Sequence, residues 1–272
     1  MHPHEPITIH NAVRDRYAQI VRSRSASPAA AHACCSAEHG SAAGGGATDT
    51  RSCGLGYTAE QLAALPAGAD LGLGSGNPVA EAAIEPGQTV LDLGSGAGID
   101  CFLAAQQVGP AGHVIGVDMT DAMVERAAEL AAEAGYDNIS FRRGQIEHLP
   151  VESDSVDRVI SNCVVNLSPE KPAVWRESFR VLKPGGRLVI SDIVASAPLP
   201  ESLREQLDLA CGCIAGAAAI EQVRADLEAA GFAEVRIEPQ EATRRTIERW
   251  LPGAGGEPSI VSAMIHAVKP QE

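Results

Sequence analysis

The chain has 272 residues, 45% of them hydrophobic, which is enough for a sizeable core in one or two domains. Its 21 Lys and Arg against 35 Asp and Glu give a formal charge of −14, which argues against a nucleic-acid partner because phosphate binding is driven by clustered Lys and Arg. No run approaches the roughly 18 uncharged apolar residues of a membrane span, and the opening MHPHEPITIH has no basic region followed by an apolar stretch, so the expectation is a cytoplasmic protein without a membrane partner.

Residues 10–24 repeat apolar side chains at three- and four-residue spacing (Val13, Tyr17, Ile20, Val21) and predict a short helix whose arginines form a solvated face. From Ser25 to Thr50 the composition turns to Ala, Gly and Ser, which predicts a flexible arm; residues 1–56 are read as helix plus arm, and 57–272 as the main domain. Thr58 to Leu65 reads as a short helix with Thr58 and Gln61 at capping-box spacing and Pro66 closing it. Beyond Pro86, apolar runs at 89–93, 113–118, 138–142, 156–161 and 187–192 alternate with helices near 99–108, 121–134 and 170–182. Ser168 is the expected N-cap of the last of these, with Pro169 in its first turn and Gly185 past its end. A further helix at 220–230 stops at Gly231, and runs at 235–238 and 260–268 predict an antiparallel pair on the sheet edge. The alternation specifies right-handed βαβ units: an α/β, doubly wound, mostly parallel sheet of about seven strands, Rossmann-like in class.

The loop after the first strand is Asp92-Leu-Gly94-Ser-Gly96-Ala-Gly98. Glycines let the backbone turn tightly and approach a ligand, and the helix that follows favours negative charge at its start. A dinucleotide fingerprint needs glycine at 99, where this chain has Ile99, so a nicotinamide-binding domain is the less favoured reading. The second strand closes on Asp118, 24 residues beyond Gly94, near the spacing at which an acidic residue takes ribose hydroxyls. This pattern resembles class I S-adenosylmethionine-dependent methyltransferases. The resemblance implies that Asp92, Gly94, Gly96 and Gly98 line the methionine and ribose part of the cofactor and that Asp118 takes the ribose. It also implies that Met119 and Gln145-Ile146-Glu147 flank the adenine, with Asn162 in the same site.

Seven cysteines (34, 35, 53, 101, 163, 211 and 213), with no CxxC pair and no secretory signal, describe neither a disulfide framework nor a common zinc ribbon. Cys163 follows the fourth strand, at the carboxyl end where a methyl donor belongs, and Cys213 lies on the segment near 198–220 that the methyltransferase resemblance implies as the cap of the substrate pocket. Two soft ligands facing a methyl donor point to a thiophilic acceptor. Cys101, among Ile99, Phe102 and Leu103, reads as core.

SNCVVNLS (161–168) and GCIAGA (212–217), with LGLGSGNP (71–78), DLGSGAGIDCFLAA (92–105) and VGPAGHVIGVDMT (108–120), resemble the arsenite methyltransferases. The resemblance implies that Cys163 and Cys213 hold trivalent arsenic as thiolates and that S-adenosylmethionine donates the methyl group; the expected reductant and partner is a thiol such as glutathione or thioredoxin, and the expected state a monomer. It implies a third pocket cysteine at position 75, where this chain has Ser75. Three readings stay open: an exogenous thiol as third ligand, which we favour; Cys34, Cys35 or Cys53 as that ligand; or a weakened disulfide relay. A carbon or oxygen methyltransferase of a quinone- or sterol-like molecule, and a metalloid-binding protein without turnover, are the competing functions.

Overall fold

A computed structural model describes residues 6–25, 52–196, 214, 216–240 and 260–271. Its centre is a sheet in the order β3-β2-β1-β4-β5-β8-β7, with a short extra strand on β5. The strands are β1 (Thr89–Leu93), β2 (His113–Asp118), β3 (Ile139–Arg143), β4 (Val156–Asn162), β5 (Leu182–Ala195), β6 (Ala218–Ala219), β7 (Ala233–Pro239) and β8 (Ile260–Val268). The first five pair in parallel, and β8 lies antiparallel between β5 and β7. The expected seven strands are present in the expected arrangement; the two-residue β6, paired to Val194 and Ala195, is the addition.

Along β1 the side chains alternate between the sheet's two faces, and both are buried. Val90 packs with Cys101, Phe102 and Ala105 of α4 (Ile99–Val108) and Leu130 of α5 (Asp121–Glu133). Leu91 and Leu93 pack with Val174, Trp175 and Val181 of α6 (Lys171–Val181) and Leu227 of α7 (Ile220–Ala229). Before the sheet come α1 (Pro6–Ser25), α2 (Ala59–Ala63) and α3 (Pro78–Glu81). The capping box of α2 forms as its spacing predicts: Gln61 N donates to Thr58 Oγ1 and Thr58 N to Gln61 Oε1. Among the described residues no helix is long and apolar enough to cross a membrane.

Two expected helix ends differ. The N-cap of α6 is Glu170, not Ser168, and the proline in its first turn is Pro172. Ser168 instead closes a 3-10 turn at Val165–Leu167, its hydroxyl committed to Glu147 and to Glu170 N. Gly185 does not end α6, because the chain runs from Val181 into β5, where Leu182 is already extended and pairs with Val156. Gly185, at φ +79°, turns within that strand, and its N–H bonds the Lys269 carbonyl.

Candidate active site

The strand order reverses between β1 and β4, and ligands in open α/β sheets bind at the carboxyl ends flanking such a switch. A cleft of about 1020 Å³, open mouth included, lies there. The glycine loop is pinned to the next strand: Gly94 N and Ser95 N both donate to the Val117 carbonyl, at 2.7 and 3.0 Å. Gly94 takes φ +67°, and a Cβ there would lie within 2.4–2.9 Å of Val164 side-chain atoms. The loop therefore rests directly on the turn that follows Cys163. Asp118 is built into the same loop, one oxygen accepting from Gly96 N (3.0 Å) and the other from Thr120 N (2.8 Å).

The buried carboxylates Asp92 and Asp100 and the half-buried Asp118 line the glycine-loop side of this cavity. Burial raises the proton affinity of each, and repulsion from Asp100 lifts Asp92 further. Asp100 reaches about 6, held there against donors from Tyr57 and Asn162. One Asp92 oxygen accepts from the Cys101 thiol at 3.3 Å; the other takes no hydrogen bond among the described residues. A buried acidic wall of this kind fits a ligand carrying positive charge.

Cys163 is buried, with φ +61°, a left-handed conformation that costs a non-glycine residue roughly 1–2 kcal/mol. Its N–H donates to the Ser191 carbonyl of β5 at 2.8 Å. Its apolar neighbours are Val13 of α1, Leu167, Ile193, Ala195 and Ala217. Just beyond it, Asn166 N and Nδ2 both donate to Asp192, whose carboxyl burial lifts to about 6. Gly216 packs so tightly on this turn that a Cβ would fall 1.9 Å from the Asn166 carbonyl.

Of the residues read from the sequence, Asp92, Gly94, Gly96, Asp118, Met119, Ile146, Glu147, Asn162 and Cys163 line the one cavity. Gly98 and Gln145 are not on its wall: Gly98 is the left-handed N-cap of α4, and Gln145 is exposed. Cys53 is also off the wall, although Ser52 is on it. Cys34, Cys35 and Cys213 lie outside the described residues. Cys101 is wholly buried in the core, as expected. Ser75 does not face the cavity; it is fully buried, with its hydroxyl 3.0 Å from that of Ser191.

Sequence reasoning missed His10, Tyr17, Tyr57 and Asp100, all on the wall. His10 Nε2 lies 3.0 Å from Glu147 Oε1, so a titratable base does reach the cavity from α1. The spacing that predicted α1 gave no sign of where it docks. Tyr57 precedes a capping box with no local signal of its own.

The Methyltransferase domain family model matches residues 84–244. Over 98% of its length the chain is 47% identical to the arsenite methyltransferase of Halobacterium salinarum, covering 68% of that protein. It is 38% identical to the mouse arsenite methyltransferase over 66% of its length, and that match spans half of the mouse protein. The crystal structure of an arsenic(III) S-adenosylmethionine methyltransferase from Chlamydomonas reinhardtii superposes with a TM-score of 0.62 at 34% identity, covering 81% of this chain and 73% of that one. The switch-point cleft, its glycine loop and a likeness that spans almost the whole chain lead to one assignment: this is an S-adenosylmethionine-dependent methyltransferase belonging to the arsenite methyltransferase family.

Proposed function

We propose that the chain methylates trivalent arsenic held by the thiolates of Cys163 and Cys213. The observation that carries this reading is that Cys163 lines the same cavity as the glycine loop and Asp118, in a strained turn that the loop itself touches. Gly216 and Ala217 support the second ligand: Gly216, three residues past Cys213, packs on the carbonyl of Asn166, three residues past Cys163, and Ala217 shares the apolar cluster of Cys163.

The cavity suits S-adenosylmethionine on three grounds. Gly96 leaves the loop's face open, the buried Ser95 hydroxyl has no partner among the described residues, and the acidic wall suits a cation. When bound, S-adenosylmethionine supplies an electrophilic methyl group whose bond to the sulfonium breaks with its electron pair going to sulfur. Asp92 and Asp100 would hold the methionine end, Asp118 the ribose, and Met119, Ile146 and Glu147 the adenine. Cys163 positions arsenic so that its lone pair forms the new bond to carbon, and α1 with Val13 and Tyr17 keeps water from that contact. No proton has to leave, so His10 is not required as a base.

Arsenic is thereby formally oxidised by two electrons, which two exogenous thiols return as they form a disulfide. With Ser75 turned into the β5 wall, the third arsenic ligand is an exogenous thiol such as glutathione, or one delivered by thioredoxin. The enzyme works as a cytoplasmic monomer in arsenic detoxification.

The test is to incubate the protein with arsenite, S-adenosylmethionine and excess thiol and to separate the arsenic species. Methylated arsenic from the wild type, lost in both Cys163→Ser and Cys213→Ser, supports the reading. Cofactor binding without methylated arsenic transfers it to a carbon or oxygen acceptor. Tight arsenite binding indifferent to the cofactor leaves a metalloid sink.

A further inference from the structure

Cys163 is strained and the cost of its turn must be met by neighbours that over-determine it. The residue before it, Asn162, is tied on every side. Its Oδ1 accepts from Ser75 N at 2.8 Å. Its Nδ2 donates toward Tyr57 Oη and the Gly76 carbonyl, both at 2.8 Å, and toward Asp100 Oδ2 at 3.1 Å. Tyr57 is itself buried and donates its hydroxyl to Asp100 Oδ1 at 2.8 Å. Three separate segments thus converge on one amide: the Tyr57 turn, the 74–76 loop and the first turn of α4. The loop is shaped to it, since a Cβ on Gly74 would lie 2.7–3.0 Å from the amide atoms of Asn162.

We infer that Tyr57, Asp100 and Asn162 form a positioning unit that holds the left-handed turn at Cys163 and so presents its thiol to the cofactor cavity. In this chain the 71–78 segment then serves as the seat of Asn162, not as a source of an arsenic ligand. The carboxylates whose charge acts on Tyr57 are Asp100, Asp92 and Asp70, and of these only Asp100 receives hydrogen bonds from Tyr57 and Asn162. The inference rests on the arsenic reading for its purpose, but not for its geometry.

The test uses Tyr57→Phe, which keeps the ring, and Asn162→Ala. Each full-length protein is treated with iodoacetamide, and the alkylation rate of every cysteine is followed by peptide mass spectrometry. Release of the turn should free Cys163 from beneath Val13, so its alkylation should speed up about tenfold, the factor that corresponds to losing the net worth of a buried hydrogen bond or two. Cys101, in the core beside the same network, should react at the wild-type rate. The Michaelis constant for arsenite should rise in both variants, and wild-type values in both would leave the turn held by other contacts and overturn the proposal. Wild-type alkylation at Cys163 in both variants overturns the proposal, and so does parallel acceleration at Cys101, which would mean general loosening. If Cys163→Ser still methylates arsenite while the alkylation shift appears, the arsenic reading falls and the positioning unit stands.

Discussion

At the scale of single residues, the site is a set of close approaches. Gly94 leaves no room for a methyl group because Val164 occupies the space, and its φ is left-handed besides. Gly94→Ala should therefore destabilise the protein by about 1–3 kcal/mol, read by denaturant unfolding. Adding Val164→Ala should recover part of that loss by removing the clash; no recovery would mean that backbone strain alone is responsible. A second prediction follows from Asp100, whose carboxyl loses its proton near pH 6. Cofactor affinity measured by calorimetry should weaken as pH falls from 7.5 to 5, because a neutral Asp100 no longer favours a cation, and Asp100→Asn should flatten the curve. Asp92, Gly94, Gly96, Asp118 and Cys163 were legible in the sequence because each sits at or just past a strand end, where local order fixes its place, whereas Gly98 opens α4 and is off the wall. Asp100 was passed over since it lies inside a helix of core residues, and Tyr57 because its partners are 43 and 105 residues away.

Among the elements, α1 departs most from its sequence reading. Its periodicity announces a helix, yet Val13 and Val21 are buried against the cleft, and His10 pairs with Glu147, itself bonded by Ser168. Periodicity reports that a face is apolar and says nothing of what covers it. His10→Ala should loosen the roof: S-adenosylhomocysteine affinity should fall roughly three- to tenfold, the equivalent of about 1 kcal/mol for a partly buried hydrogen bond, and amide exchange over residues 9–21 should quicken. Unchanged exchange would show that the apolar contacts alone hold α1. β1, β2, β3, β4 and β8 were read to within a residue because each alternates or runs apolar between turn residues, whereas β5 starts five residues before and ends three after the run read for it. The start of α6 was misplaced because Ser168 is drawn to Glu147, a tertiary partner that outcompetes a capping role. Gly185 misled for a similar reason: a left-handed glycine marks a turn within a strand as readily as a helix end.

For the molecule as a whole, the acidic interior sets the pH dependence. Asp100 and Asp192 are lifted to about 6 by burial, above their ordinary value of 3.8. Between roughly pH 4 and 6 the folded protein thus holds protons that the unfolded chain has released, so this contribution to stability declines as pH rises through that window and stays low above it. Denaturant titrations of the apo-protein at pH 4.5, 5.5 and 7 should show that decline, reduced in Asp100→Asn; a rise across the window would contradict the burial of both groups. The central claim is that one cavity brings an arsenic-binding Cys163 and the methyl donor together. Anomalous diffraction at the arsenic edge, from crystals grown with arsenite and S-adenosylhomocysteine, tests it most directly. The account predicts arsenic on the Cys163 sulfur inside the cavity, with the adenosine moiety over Gly94–Gly96 and its ribose at Asp118. Arsenic bound elsewhere with Cys163 bare, or the cofactor outside this cleft, would contradict it.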